Sequence, residues 1–153
     1  MKNKRIALIS HDQRKLDLID WVKFNSETLL QNKLVCTGTT GKLVKEELLK
    51  KISLDNEIDY TIDIECKNSG PFGGDAQIAA MVVEGKIDLC IFLIDDLSAN
   101  PHEADIQMLL RQCRLHNVPA AFNRHSADLM ITSTLWDDDD YEPTKPLYIE
   151  YER

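Results

Sequence analysis

A loop of small residues leads directly into an acidic side chain near the middle of the sequence. The segment SGPFGGD, residues 69–75, holds three glycines and a proline and ends on Asp75, and AQIAAMVVEGK follows with the pattern of an amphipathic helix. Glycines let a ligand approach the backbone closely, and a carboxylate at that point is positioned to accept a proton from the ligand. Aspartate is also favoured as a helix cap, so capping is the competing interpretation of Asp75.

A second glycine-containing segment has the composition of a phosphate-binding turn. TGTTGK, residues 37–42, offers three threonine hydroxyls and opens a predicted helix, whose free N–H groups attract anions. The spacing is not that of a P-loop, and the sequence contains no G-x-G-x-x-G, so nucleotide di- and triphosphates are disfavoured. A capped turn between strand and helix explains the same residues equally well. Lys15 is a candidate phosphate cation, although a single helix lysine is usually a solvated one.

Histidines and acids lie in the other loops that follow predicted strands. His11 comes after the first apolar run, where a core or capping role is the alternative, and His102 lies in the segment NPHEAD, where it could simply begin a helix. Asp105 has the position of a first-turn acid. The pairs Asp95 with Asp96 and His102 with Asp105 match no established metal-binding spacing, so a metal site is disfavoured.

The chain alternates between strand patterns and helix patterns, which predicts βαβ units and a parallel sheet. Short apolar runs predict the strands, and apolar residues at helical spacing predict the helices. The predicted strands are 5–10, 33–37, 60–66, 87–94 and 119–122, and the predicted helices are 15–24, 41–51, 75–84, 103–116 and 126–132. The expected fold is α/β, a single-domain three-layer sandwich with a five-stranded parallel sheet of the flavodoxin or Rossmann type. Ligands of such sheets bind beyond the carboxyl ends of the strands, where all the candidate residues lie.

Composition limits the class of protein and its partners. The 153 residues, 43% hydrophobic and 29% charged, fit one domain over residues 1–153, with an atypical tail from residue 132 onward. The net charge of −8 argues against nucleic acid and anionic membranes as partners. Cys36, Cys66 and Cys90 sit in or beside apolar runs and, with Cys113, form no C-x-x-C pair, so buried free thiols are expected. Without a signal peptide or membrane-helix pattern, a cytoplasmic location is predicted.

Four motifs at the predicted strand ends resemble those of the methylglyoxal synthase family. They are SHDxxK at residues 10–15, TGTTG at 37–41, SGPxGGD at 69–75 and NPHEAD at 100–105, in that order. The resemblance extends from about Lys4 to Thr132. The sequence departs from the family pattern in two places. Residues 123–128 are NRHSAD where the family pattern is N-x-A-T-A-D, and the tail also differs.

The resemblance implies an enzyme that converts dihydroxyacetone phosphate to methylglyoxal and inorganic phosphate. It implies no metal or cofactor and a homohexamer. If TGTTG and Lys15 bind the phosphoryl group of the substrate, free inorganic phosphate is expected to occupy the same pocket and to inhibit. It assigns Asp75 as the catalytic base, His102 as the group that polarises the carbonyl, and Asp105 as a supporting acid. The remaining pocket and phosphate-binding residues that it implies are His11, Asp12, Lys15, Thr37, Gly38, Thr39, Thr40, Ser69 and Gly70.

The implied mechanism begins with removal of a proton from the hydroxymethyl carbon by Asp75. A helix N-terminus is expected to keep this carboxylate ionised and to weaken its basicity, so His102 must stabilise the enediolate. The alternative function is a non-catalytic effector-binding module of the same fold, like the regulatory domain of carbamoyl phosphate synthetase. A response-regulator receiver fits poorly, because a glycine loop follows the third strand instead of a lone aspartate.

Overall fold

Five strands form one sheet within residues 3–54 and 61–148, which this computed structural model describes. They are β1 (Arg5–Ser10), β2 (Lys33–Thr37), β3 (Ile64–Lys67), β4 (Leu89–Leu93) and β5 (Ala120–Ala121). All neighbouring pairs are parallel, and their order is β3-β2-β1-β4-β5. The chain winds outward from β1 to one edge and then crosses to β4 on the other side. The topological switch therefore lies between β1 and β4, the position at which such folds bind ligands.

Seven α-helices of the described residues surround the sheet. They are α1 (Lys15–Phe24), α2 (Ser26–Leu30), α3 (Gly38–Leu54), α4 (Gly74–Val83), α5 (Glu103–Leu115), α6 (Arg124–Ile131) and α7 (Thr134–Asp137). Short 3₁₀ turns at Asp12–Arg14 and Gly70–Phe72 precede α1 and α4. No helix among the described residues is both long enough and apolar enough to cross a membrane.

The alternation of side chains along each strand divides the core into two layers. On one face, Leu8 of β1 packs with Trp21 of α1 and Leu48 of α3, and α2 and α6 complete that layer. On the other face, Phe92 of β4 packs with Ile78 of α4 and with α5. Each fully buried aliphatic side chain contributes about 1.5–3 kcal/mol. The expected α/β fold with three layers and a five-stranded parallel sheet is confirmed.

The predicted boundaries of β1, β2 and α1 agree with the structure, and the other strands are shorter than predicted. β4 includes only Leu89–Leu93 of the predicted residues 87–94, and β5 includes only Ala120–Ala121 of the predicted residues 119–122. The five-residue helix α2 is absent from the prediction because one and a half turns are too short to establish a helical period. The predicted third strand began at Tyr60, which lies outside the described residues.

The prediction for Cys66 is wrong, because this residue is exposed. It lies on β3, which is the edge strand next to β2 in the sheet that the described residues form. The other three cysteines are buried, and all four are free thiols.

The start of α3 also differs from its prediction. The helix was expected from Gly41, but it begins at Gly38, directly after the last residue of β2. Gly38 makes this abrupt turn with φ +48, and a Cβ atom there would lie 2.9 Å from the Cα atom of Ser69. Both the left-handed conformation and the close approach favour glycine. Most of the predicted phosphate-binding turn is therefore the first turn of the helix itself.

The tail is largely exposed and makes a few contacts with its own chain. The ammonium group of Lys4 lies 4.1 Å from the ring centroid of Trp136, and the side-chain amide of Asn117 donates to the carbonyl oxygen of Thr144 at 2.5 Å. Lys4 precedes β1 and Asn117 precedes β5, so these contacts lie at the amino ends of the strands, away from the carboxyl ends. Residues 149–153 lie outside the described part of the chain.

Candidate active site

A cleft of about 420 Å³ opens at the carboxyl ends of β1, β2 and β4, beside the topological switch. Its size suits a small molecule. The parallel sheet brings together loops that are far apart in sequence, because every strand ends at the same edge. Eleven of the twelve predicted site residues line the cleft: His11, Asp12, Lys15, Thr37, Gly38, Thr39, Thr40, Ser69, Gly70, Asp75 and His102.

Asp75 is a fully buried carboxylate that accepts no hydrogen bond from any of the residues that the structure describes. Its side chain is 0% exposed, and neither carboxylate oxygen accepts a hydrogen bond. It lies in the first turn of α4, where Gly73 occupies the N-cap position and no side chain caps the helix. The capping interpretation of Asp75 therefore fails. A buried and unpaired carboxylate is costly to the fold, and this cost is typical of functional sites.

Burial raises the pKa of the Asp75 carboxyl above its ordinary value. His102 opposes this shift, and the nearby negative charge of Asp105 adds to it. From the sequence, the helix N-terminus was expected to weaken this base. The raised pKa contradicts that prediction, because burial is the largest influence on the carboxyl. Asp75 is consequently a stronger base than an exposed aspartate.

His102 faces Asp75 from the start of α5. Its Nε2 atom lies 3.4 Å from Oδ2 of Asp75, its side chain is 10% exposed, and its Nδ1 atom has no hydrogen-bond partner. It occupies the N-cap position without capping the helix through its side chain. A Cβ atom on Gly70 would lie 3.2 Å from both His102 Nε2 and Asp75 Oδ1. Gly70 therefore keeps the space above the two reactive groups free of side-chain atoms.

His11 is held as a neutral hydrogen-bond donor. The backbone N–H of Asp95 donates to His11 Nδ1 at 2.8 Å, so the ring proton of a neutral His11 is on Nε2. That Nε2 atom is buried and has no partner. Burial and the neighbouring His102 lower the pKa of His11, which favours the neutral ring. The two histidine rings lie 5.5 Å apart and nearly perpendicular to each other.

The other end of the cleft has the features of an anion site. The first turn of α3 contributes free backbone N–H groups and the hydroxyls of Thr39 and Thr40. The Gly38 N–H is engaged with the carbonyl oxygen of Asn68 at 3.1 Å. Lys15 also lines the cleft and forms an ion pair with Asp12, and this bond holds the pKa of the Asp12 carboxyl below its usual value.

Asp105 is the one predicted residue that does not line the cleft. It is half-buried in the first turn of α5 and acts on Asp75 through its charge. Arg124, a departure from the family pattern, is also outside the cleft. Its guanidinium group lies 2.8 Å from an Asp20 carboxylate oxygen on α1, so it joins α6 to that helix.

Sequence reasoning missed four polar residues that line the cleft: Ser10, Gln13, Asp95 and Asn100. Asp95 and Asn100 lie in the loop after β4, so their position after a strand was the available signal. Among the described residues, no group of three or more His, Cys, Asp or Glu side chains is arranged to hold a metal ion.

The sequence model of the MGS-like domain family matches residues 17–122, more than half of the chain. This chain belongs to that family. The resemblance to methylglyoxal synthases inferred from the motifs is thereby confirmed.

Individual methylglyoxal synthases match over nearly the full length. The methylglyoxal synthase of Treponema socranskii is 56% identical over 149 residues, which cover 97% of this chain and 90% of the relative. That of Leptospira interrogans is 47% identical over 130 residues, covering 85% and 80%. The crystal structure of methylglyoxal synthase from Elizabethkingia anophelis NUHP1 is 34% identical, covers 97% of this chain and 90% of its own, and superposes with a TM-score of 0.81. The similarity to methylglyoxal synthases thus includes the His11 loop, which the family model alone does not reach.

Proposed function

We infer that this chain converts dihydroxyacetone phosphate to methylglyoxal and inorganic phosphate, as a carbon–oxygen lyase acting on phosphates. The observation that carries the inference is the buried, unpaired carboxylate of Asp75 beside His102 under the bare backbone of Gly70. A non-catalytic effector module gains nothing from such a costly group, whereas a proton-abstracting enzyme requires it.

Asp75 is the proposed base for the first step. Its carboxylate takes a proton from the hydroxymethyl carbon of the substrate, and the electron pair of the broken C–H bond forms a carbon–carbon double bond. The former carbonyl oxygen becomes the enediolate oxygen. The raised pKa of Asp75 favours this transfer, and the absence of competing hydrogen bonds leaves both carboxylate oxygens available.

His102 and His11 are the proposed donors to the two oxygens of the enediolate. Their rings approach the same space, and His11 directs an Nε2–H with no protein partner into the cleft. Neutral imidazoles are suitable donors because the pKa at which they lose a proton lies closer to the pKa of an enediol than the pKa of an imidazolium ion does. A neutral histidine acts in the same way in triosephosphate isomerase. Asp105 supports the base through its charge, without a contact of its own to the substrate.

Phosphate leaves in the second step. The remaining hydroxyl passes its proton to the enediolate oxygen on the neighbouring carbon, and its own oxygen forms the aldehyde carbonyl. The double bond shifts, and the carbon–oxygen bond to phosphate breaks with its electron pair on the phosphate, which takes up the proton that Asp75 had accepted. The enol that remains tautomerises to methylglyoxal. This elimination requires the breaking bond to lie roughly perpendicular to the enediolate plane. We propose that the first turn of α3, Ser69 and Lys15 hold the phosphoryl group in that orientation and stabilise the departing dianion.

The direct test is to incubate the purified protein with dihydroxyacetone phosphate and to measure both products. We expect inorganic phosphate and methylglyoxal in equal amounts. Binding of the substrate without release of either product would instead favour the effector-binding module.

Chelation is expected to leave this activity unchanged, because the proposed electrophiles are histidines. Turnover after dialysis against EDTA is compared with turnover before it. A loss of activity that a divalent ion restores would contradict the proposed mechanism.

Replacing Lys15 by alanine is expected to weaken substrate and inorganic phosphate binding by the same factor. A hydrogen bond to a charged group contributes about 1.5–3 kcal/mol, which is about one to two decades of affinity. The measurements are KM and the inhibition constant of phosphate. Lys23→Ala, on the same helix but outside the cleft, is the matched control. A variant that loses substrate affinity but binds phosphate normally would mean a separate phosphate site.

The acid limb of kcat/KM is expected to report the ionisation of Asp75. The base is active as a carboxylate, so the rate falls as the pH drops through its raised pKa, above the ordinary aspartate value of about 3.9. Asp105→Asn removes a charge that raises this pKa, and we expect the limb to move to lower pH. The exposed Asp96→Asn is the control. An unmoved limb in Asp105→Asn would contradict the supporting role of Asp105.

The cytoplasmic location, the homohexamer and inhibition by phosphate are parts of the same proposal. Four free cysteines are compatible with a reducing compartment. Sedimentation analysis tests the assembly, and kinetics at increasing phosphate concentration test the inhibition.

A further inference from the structure

Two cysteines lie side by side on adjacent strands directly behind the phosphate-binding end of the cleft. Cys36 of β2 and Cys66 of β3 are register partners. Neighbouring strands are about 4.8 Å apart, and disulfides join Cα atoms about 4.4–6.8 Å apart. Register partners also project their side chains from the same face of the sheet. The backbone separation therefore suits a disulfide between these two residues.

The contacts of Gly41 locate both side chains under α3. A Cβ atom on Gly41 would lie 2.6 Å from Cys66 Sγ, 3.6 Å from Cys66 Cβ and 3.1 Å from Cys36 Cβ. The two cysteine side chains thus converge on one point below the helix. Their environments differ, because Cys66 is exposed at the sheet edge and Cys36 is fully buried.

We propose that Cys36 and Cys66 form a peroxide-sensitive dithiol whose closure to a disulfide weakens binding of the phosphoryl group in the cleft. Nothing in the proposed reaction uses either thiol, so this is a modification site separate from the catalytic groups. Its effect on turnover rests on the proposed function, whereas the formation of the bond does not.

The chemistry requires only hydrogen peroxide as oxidant. The exposed Cys66 releases its proton and attacks one peroxide oxygen as a thiolate, the O–O bond breaks, and a sulfenic acid and hydroxide result. The hydroxide takes up the proton that Cys66 released and becomes water. The sulfur of Cys36 then attacks the sulfenic sulfur, and the leaving hydroxide takes the Cys36 proton to form a second water. Two thiols lose two electrons and two protons, and peroxide is reduced to two waters. Burial raises the pKa of the Cys36 thiol, so the exposed Cys66 is the site of the first attack, and closure by Cys36 is faster at higher pH.

Formation of the disulfide affects the phosphate-binding end of the cleft, because β2 and β3 both lead directly into it. Cys36 is followed two residues later by Gly38, and Cys66 three residues later by Ser69; both of these residues line the cleft. The two segments are joined by the Gly38 N–H to Asn68 carbonyl hydrogen bond of 3.1 Å. A covalent bond behind this junction shifts the start of α3 relative to Ser69. Asp75 and His102 belong to α4 and α5 in the opposite layer, so the reacting groups are less affected.

The experiment treats the full-length protein with hydrogen peroxide, blocks remaining thiols, and maps the peptides by mass spectrometry. We expect a Cys36–Cys66 peptide with a mass lower by two hydrogens, which disappears on treatment with dithiothreitol. KM for dihydroxyacetone phosphate should rise about tenfold, and the affinity for inorganic phosphate, measured by calorimetry, should fall by the same factor. The value of kcat should fall as well, because the displaced residues also orient the bond that breaks.

Variants assign these effects to the pair. Cys66→Ala should abolish both the linked peptide and the rise in KM, whereas Cys113→Ala, in the other core layer, should retain both. The proposal is overturned by a disulfide that joins two copies of the chain, by oxidation of Cys66 beyond the sulfenic acid without linkage, or by a Cys36–Cys66 bond that leaves phosphate affinity unchanged. If the protein does not turn over the substrate, the proposed function fails, but peptide mapping and phosphate calorimetry still decide this inference.

Discussion

Asp75→Asn is expected to lower kcat for dihydroxyacetone phosphate by about a thousandfold. General-base catalysis contributes about 10²–10⁴ in rate, and an amide cannot accept the substrate proton at neutral pH. The side chain keeps its shape, so binding of a phosphate-bearing enediolate mimic should survive. Asp96→Asn, in the exposed part of the loop after β4, is the matched control and should keep full activity. Near-normal turnover in Asp75→Asn would exclude this residue as the base.

The same variant is expected to be more stable than the wild type near neutral pH. The pKa of Asp75 is raised in the folded state, so folding favours the protonated carboxyl. The contribution of this group to stability is complete below the unfolded-state pKa and is lost as the pH rises through the folded-state value. Asparagine has no charge to bury, so the variant avoids that loss. We expect its free energy of unfolding near neutral pH to be about 1 kcal/mol higher.

Urea unfolding near neutral pH and at acidic pH measures this gain. The difference between variant and wild type should shrink as the pH falls, because the wild-type carboxyl then becomes protonated as well. A destabilised variant at neutral pH would mean that the carboxylate has stabilising partners in the folded protein.

His102→Ala is expected to lower kcat by about 10²–10³, the usual effect of removing one donor to a developing oxyanion. The Nε2 atom of His102 lies 3.4 Å from the base, so a carbonyl oxygen next to the proton being removed lies within its reach. KM should change little, because the phosphoryl group is held at the other end of the cleft.

Two further variants separate electrophilic catalysis by His102 from a structural role. His102→Gln retains an N–H donor and should recover part of the lost rate. His116→Ala removes an exposed histidine after α5 and should be as active as the wild type. Equal losses in His102→Ala and His102→Gln, accompanied by a lower unfolding midpoint, would indicate that His102 mainly supports the fold.

Local sequence patterns determined the architecture and the location of the cleft. Continuous apolar runs predicted β1 and β2 correctly, because strands of a sheet covered on both faces carry apolar side chains in both directions. Helical spacing predicted α1. The strict alternation of the two patterns implied parallel strands, and parallel strands bring their carboxyl ends to one edge. The sequence therefore predicted that the motifs meet at this edge, and the order of the motifs indicated the family.

Tertiary structure alone decided the properties that depend on distant neighbours. The exposure of Cys66 results from the position of β3 at the sheet edge, and the early start of α3 results from the packing of Gly38 against Ser69. The raised pKa of Asp75 results from burial by other elements, which the local helix end could not reveal. The proton position on His11 depends on a backbone N–H 84 residues away. Such features arise from desolvation and from contacts between segments remote in sequence, and the local pattern of residues carries no record of either.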